Sequence, residues 1–151
     1  MPRQQGQNAK QAESSRLDGS EMRTRRVCLS VDAATTEIIK EMQKRKGTDR
    51  VQTVREILRM LVTGEIKTKE VLTFYNDVWI RRAAEPEQNV IARYSWSDDA
   101  DTALHLLSTK ILGAKNRSES FRVLIAFVGM KSGLVRIKRI QAADLEIVAS
   151  R

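Results

Sequence analysis

The hydrophobic positions of this chain change period several times, and each change marks an element. From Arg26 to Val31 they alternate: Val27, Leu29 and Val31 share one face, and Arg26, Cys28 and Ser30 share the other. A period of two is that of a strand. At Asp32, a good N-cap residue, the period lengthens to that of a helix, with Ala34, Ile38, Ile39 and Met42 on one side up to about Lys46, where Gly47 stops it. The basic run Lys44-Arg45-Lys46 suits the negative end of that helix dipole. Asp49, with Gln52 three residues on, resembles a capping box. Val54, Ile57, Leu58, Leu61 and Val62 then form the stripe of a second helix ending near Gly64.

Val71, Leu72, Tyr75, Val78 and Trp79 predict a helical connector within residues 65–88, closed by Ala83-Ala84-Glu85-Pro86, since the residue before a proline disfavours helix. The first pattern then returns. Val90 to Trp96 alternates, with Ala92, Tyr94 and Trp96 on one face and Ile91, Arg93 and Ser95 on the other. Ser97 is the cap, Asp98, Asp99 and Asp101 add acid to the first turns, and Ala100, Ala103, Leu104, Leu107 and Ile111 form a stripe that stops at Gly113. Asn116, with Glu119 at the third helical position, caps a further helix carrying Phe121, Leu124, Ile125 and Val128. Asp32 and Ser97 lie 65 positions apart and Asp49 and Asn116 lie 67 apart, so two extra residues enter the second copy between its caps. The repeat is one of pattern, not of letters.

The remaining segments follow from composition. Residues 1–22 are rich in Gln, Ser, Gly and charge and read as a disordered polar and basic arm. The domain plan is therefore an arm (1–22), a first strand–helix–helix unit (23–64), the connector (65–88), a second unit (89–133) and a C-terminal extension (134–151). The extension holds Leu134, Val135, Ile137, Ile140, Leu145, Ile147 and Val148, too apolar for a disordered tail and sufficient for a short strand and a helix packed on the body.

A net charge of +8, from 27 Lys and Arg against 19 Asp and Glu, favours a polyanionic partner. One cysteine excludes an internal disulfide and suits a reducing compartment. With no long apolar run and no secretory-type leader, the expected location is the cytoplasm and no membrane partner is expected. Enzymatic chemistry finds little support. His105 is the single histidine and sits on a helix among leucines, Cys28 lacks a redox or metal-binding companion, and no glycine-rich phosphate loop occurs. No cofactor and no metal is expected.

A basic alternating strand followed by two helices, the second of them capped, and this twice in series, resembles the ribbon-helix-helix family of DNA-binding proteins over Arg25 to Gly64 and Val90 to about Gly133. The tandem order is similar to that of TraY-type accessory proteins of conjugative relaxosomes and of the single-chain ribbon-helix-helix proteins of T-DNA transfer systems. The resemblance implies a mainly α fold with a short two-stranded antiparallel β-ribbon, the two units forming a pseudo-dimer within one chain. It also implies double-stranded DNA as partner, read by the ribbon in the major groove, where every base pair is distinguishable. A role at an origin of transfer follows, with a relaxase or another transfer protein as partner and further association of chains on DNA. The alternative is a transcriptional repressor or autoregulator of the same fold.

By position, the base-reading residues would be Arg26, Cys28, Ser30, Ile91, Arg93 and Ser95, with Arg26 and Arg93 foremost because a guanidinium bonds guanine O6 and N7 together. Phosphates would meet the two helix N-termini at Arg50, Val51, Lys115, Arg117 and Ser118, where free amides and the dipole favour anions, and the basic residues Arg23 and Arg25 ahead of the strand. Asp49 is an anionic cap near one such site, so the Asn116 site is the better of the two. Because the two half-ribbons differ, the DNA site need not be a palindrome. A rigid ribbon suits the wide major groove of DNA better than the narrow one of RNA. Phe74 and Trp79 are either anchors for a docked protein or, by their helical spacing, part of the core; the core reading is favoured.

Overall fold

The computed structural model describes residues 24–81, 89–139 and 145–149. The expected arm over 1–22, Arg23 and the Ala83-Ala84-Glu85-Pro86 stop lie outside the described residues. The fold is mainly helical, with a two-stranded antiparallel sheet formed by the two alternating stretches, β1 (Thr24–Val31) and β2 (Val90–Ser97). β1 begins two residues earlier than the alternation predicts. The inward face of this sheet buries Leu29, Val31, Ala92, Tyr94 and Trp96.

Each strand runs directly into a capped helix. Asp32 accepts the Thr35 N–H at 2.8 Å and opens α1 (Ala33–Lys46); Ser97 accepts the Ala100 N–H at 3.1 Å and opens α4 (Asp98–Leu106). Asp49 accepts the Gln52 N–H at 2.7 Å ahead of α2 (Arg50–Thr63), and Asn116 accepts the Glu119 N–H at 2.9 Å ahead of α5 (Arg117–Lys131). The Glu119 carboxylate reaches back to the Lys115 amide at 3.0 Å, one residue before the cap, so the box closes one position wider than expected.

The two extra residues of the second half have separate places. Asp32 to Ser97 is 65 positions, Gly47 to Gly113 is 66, and Asp49 to Asn116 is 67. One residue therefore enters the helix and the other the turn after it. In the helix it is absorbed by a π-helical stretch, Leu107–Leu112, which continues α4. The wider π turn accommodates an inserted residue without ending the helix. Both Gly47 and Gly113 end their helices in the left-handed region, at φ 67° and 64°.

The core is centred on α5. Ser120, Phe121, Val123, Leu124, Ile125, Ala126, Phe127 and Gly129 are all buried, so this helix is enclosed on nearly every side, whereas a one-sided stripe was expected. On α2 the stripe Val54, Ile57, Leu58 and Leu61 is buried, but Val62 is 44% exposed and falls outside it. Gly129 lets α5 approach α1, since a Cβ there would lie 2.9 Å from Ile38 Cγ2 and from Val135 Cγ2.

The connector supplies α3 (Thr68–Asp77) and a 3-10 turn, Trp79–Arg81. Phe74 packs edge-on against Phe127 with ring centroids 5.8 Å apart, and Phe74 and Trp79 are both buried, so they belong to the core. Of the strand and helix that the C-terminal extension is apolar enough to form, no helix occurs among the described residues. Instead β3 (Val135–Arg139) and β4 (Leu145–Ala149) pair as a second antiparallel sheet, β3 beside α5 and β4 beside α1. Short β-branched runs such as Val-Arg-Ile and Glu-Ile-Val suit strands, and the pairing partner lies within the same tail. No helix among the described residues is long and apolar enough to cross a membrane.

Candidate nucleic-acid interface

The register of β1 and β2 determines which side chains share the outer face. Arg26 lies opposite Ser95, Cys28 opposite Arg93, and Ser30 opposite Ile91. The six residues singled out by alternation thus form three facing pairs on one surface. Arg26, Cys28, Ile91 and Arg93 are exposed, and Ser30 and Ser95 are half-buried. A shallow depression of about 460 Å³ lies where the ribbon meets α2, lined by Arg26, Cys28, Arg93 and Ser95 of the outer face together with Val27, Tyr94 and Val51. Among the described residues the Arg26 and Arg93 guanidinium groups have no ion-pair partner.

The ribbon is held from both sides by the helices that follow the turns. On one side α2 donates from Arg50 Nη2 to the Arg93 carbonyl at 3.0 Å, and from Arg55 to the Ser95 carbonyl and Oγ, both at 2.8 Å. On the other side the Ser30 amide donates to Ser118 Oγ at 2.9 Å, and Arg122 Nη1 donates to the Ser30 carbonyl at 2.6 Å. The outer polar groups of a two-stranded ribbon would otherwise be open edges. Arg55 and Arg122 were not singled out from sequence. The signal was present, since both fall at the same place after their caps, but an arginine on a helix surface is ordinary by itself.

These bonds bring the first turns of α2 and α5 to the two margins of the ribbon. In each, the cap accounts for the third helical amide and the cap carbonyl for the fourth. The first two amides, those of Arg50 and Val51 and of Arg117 and Ser118, are the ones an α-helix leaves without an internal partner.

The side chains nominated for phosphate divide into two groups. Lys115 is exposed, and the Arg50 guanidinium lies 4.7 Å from the centre of the Tyr94 ring, exposed to solvent on its outer side. Arg50 also donates to the Arg93 carbonyl but remains exposed; Arg23 lies outside the described residues; Arg25, Arg117 and Ser118 are engaged through their side-chain head groups. Arg25 donates from Nε to Asp98 at 2.8 Å, and that carboxylate raises the Arg25 pKa further above its ordinary value. Arg117 Nη1 lies 2.6 Å from Asp101 Oδ1 in a half-buried ion pair. Ser118 is engaged by the strand. The reason in each case is a partner far along the chain that a local reading does not see.

Asp101, read from sequence as dipole acid, is instead a buried acceptor that also takes the Trp96 indole N–H at 3.1 Å. Beneath the ribbon Trp96 and Phe121 stack at 6.2 Å, and Tyr94 lies 5.5 Å from Phe121. Burial raises the Tyr94 phenol pKa, and the nearby Arg50 charge partly offsets the rise. The outer face of the ribbon therefore rests on a packed aromatic platform of Tyr94, Trp96 and Phe121.

Comparison with protein-family models, with curated proteins and with solved structures finds no match to this chain.

Proposed function

We propose that this chain binds double-stranded DNA sequence-specifically, laying the β1–β2 ribbon in the major groove. In this reading its two strand–helix–helix segments act as the halves of a ribbon-helix-helix dimer joined in one chain. The observation that carries the reading is the register. It gathers Arg26, Cys28, Ser30, Ile91, Arg93 and Ser95 on one outer face while the opposite face is buried. Three further features support it. A two-stranded ribbon has the width the major groove admits. The first turns of α2 and α5 flank the ribbon, where the two phosphate backbones bordering a groove would lie. The charge is +8.

Arg26 and Arg93 make the principal base contacts, and Ser30, Ser95, Cys28 and Ile91 the secondary ones. Arg50, Lys115 and the helix-terminal amides of Val51 and Ser118 hold phosphate. The biological setting is an accessory role in plasmid conjugation or DNA transfer, bound at an origin of transfer. A repressor bound at a promoter would use the same chemistry.

Selection from a randomised duplex library at two salt concentrations tests the reading. A defined site, weakened by Arg26→Ala or Arg93→Ala, is expected. Its position at an origin of transfer or at a promoter separates the two settings. Retention without any preferred sequence, with steep salt dependence, would reduce the chain to a phosphate-driven binder.

A further inference from the structure

The three facing pairs of the ribbon are not equivalent about their centre. By offset along the chain, Arg26 corresponds to Ile91, Cys28 to Arg93 and Ser30 to Ser95, so the two ends are the Arg26–Ser95 pair and the Ser30–Ile91 pair. The Cys28–Arg93 pair is the centre, so of the two guanidinium groups without an ion-pair partner among the described residues, Arg93 lies at the centre and Arg26 at one end, and the Ser30–Ile91 end has neither. Arg93 is two residues from Ser95, the partner of Arg26, which makes Arg26 and Arg93 diagonal neighbours, about 7–8 Å apart at the backbone. With a rise of about 3.4 Å per base pair, that span covers roughly two steps of duplex.

The two serines also differ. Arg55 grips Ser95 twice, at the carbonyl and at Oγ, both at 2.8 Å. The bond to Oγ occupies a lone pair, holds the side chain in one rotamer, and places a cation behind the hydroxyl, which strengthens it as a donor. Ser30 is gripped through its backbone alone. Arg122 takes its carbonyl and Ser118 its amide, so its hydroxyl is left to rotate. Its facing residue, Ile91, is 65% exposed and has no polar group.

We infer that base recognition runs from the centre of the ribbon to one end, where Arg93, Arg26 and an Arg55-oriented Ser95 form a row of donors that selects a short guanine-containing block. The Ser30–Ile91 end contributes apolar contact of Ile91 with a thymine methyl and an unoriented Ser30 hydroxyl that discriminates little. The inference rests on the DNA-ribbon reading and adds to it the base class and the polarity. Guanine is the partner because its major-groove edge offers two acceptors and no donor. Arg55 is a positioning residue, since it acts through Ser95.

The test is selection from a randomised duplex library with the full chain, followed by affinity measurements on the selected duplex and its single-base variants. A one-sided motif is expected, with guanines at its centre and on one side of it, and thymine at most on the other side. Arg26→Ala and Arg93→Ala each lower the preference for their guanine by roughly 5- to 150-fold, and Ile91→Ala changes affinity by no more than about threefold. Ser95→Ala and Arg55→Met relax the preference at the same base position, and their salt slopes match that of the unsubstituted chain, because neither removes a phosphate contact. A selected motif that is an inverted repeat, with equal preference in both halves, overturns the inference and leaves DNA reading intact. A relaxation with Arg55→Met that spreads over all positions, or a lowered salt slope, overturns the positioning role. Absence of any enriched sequence overturns the underlying reading as well.

Discussion

Helices α2 and α5 do the same work beside the ribbon with opposite allocations of charge and burial. Each follows an Asx cap, and each sends an arginine from its second turn to a serine carbonyl on the strand, Arg55 to Ser95 and Arg122 to Ser30. Around that shared frame everything else differs. α2 has an exposed outer face, an anionic cap in Asp49, and a first-turn arginine lying over the Tyr94 ring. α5 is enclosed, has a neutral cap in Asn116, and has its first-turn arginine paired with the buried Asp101. The two helices therefore grip the ribbon alike but differ in what their first turns expose. The first turn of α5 anchors the core, and that of α2 keeps its cation at the surface.

The strongest way to break this contrast is at the buried acid. Asp101→Ala leaves the Trp96 indole N–H and the Arg117 guanidinium without their acceptor, and removing one partner of a buried pair costs about 3–5 kcal/mol. Because Arg117 is partly exposed and can be hydrated, about 3 kcal/mol is expected, read as a fall in urea midpoint. The corresponding loss of Asp98, whose pair with Arg25 is exposed and screened by solvent, should move the urea midpoint far less. Equal shifts for the two substitutions would contradict the distinction.

Gly129→Ala is next in size. The added methyl would meet two β-branched side chains, Ile38 and Val135, that cannot easily turn away, and overpacking of this kind costs about 1–3 kcal/mol. Helix propensity alone predicts the opposite sign, a gain of about 1 kcal/mol, so thermal denaturation separates the enclosed helix from a merely helical one.

Asp49→Asn sharpens the electrostatic half of the comparison. It keeps the cap and removes the anion, so stability changes by only a few tenths of a kcal/mol while DNA affinity rises by about threefold to tenfold at low salt. An unchanged affinity would remove the first turn of α2 from the phosphate contacts.

The smallest effect concerns pH. The Tyr94 phenol is raised above its ordinary value by burial, with Arg50 opposing the rise. At alkaline pH the unfolded chain releases this proton while the folded chain keeps it. Stability is thus fully present below the ordinary tyrosine pKa of about 10 and falls as pH climbs above it. Tyr94→Phe should flatten this alkaline limb in denaturant titrations. Arg50→Ala should steepen it, because the opposing charge is gone. Tyr75 is also raised by burial, so some slope remains in Tyr94→Phe.

What the sequence determined by itself was everything that depends on neighbours within a few residues. Strand faces follow from a period of two, and Arg26, Cys28, Ser30, Ile91, Arg93 and Ser95 were found that way. The caps Asp32, Asp49, Ser97 and Asn116 accept hydrogen bonds from three residues onward, so spacing alone reveals them. The tertiary structure decided which cations remain at the surface. Arg55 and Arg122 hold strands 40 and 92 residues away in the chain, and Arg117 turns to an acid on the preceding helix. It also placed one extra residue in a π turn and the other in a loop, and paired the tail with itself as a second sheet. A guanidinium has the same propensity in the sequence wherever its partner lies. Only the packing that brings a distant carbonyl or carboxylate within about 3 Å separates an arginine that builds the ribbon from one whose head group stays exposed on its outer face.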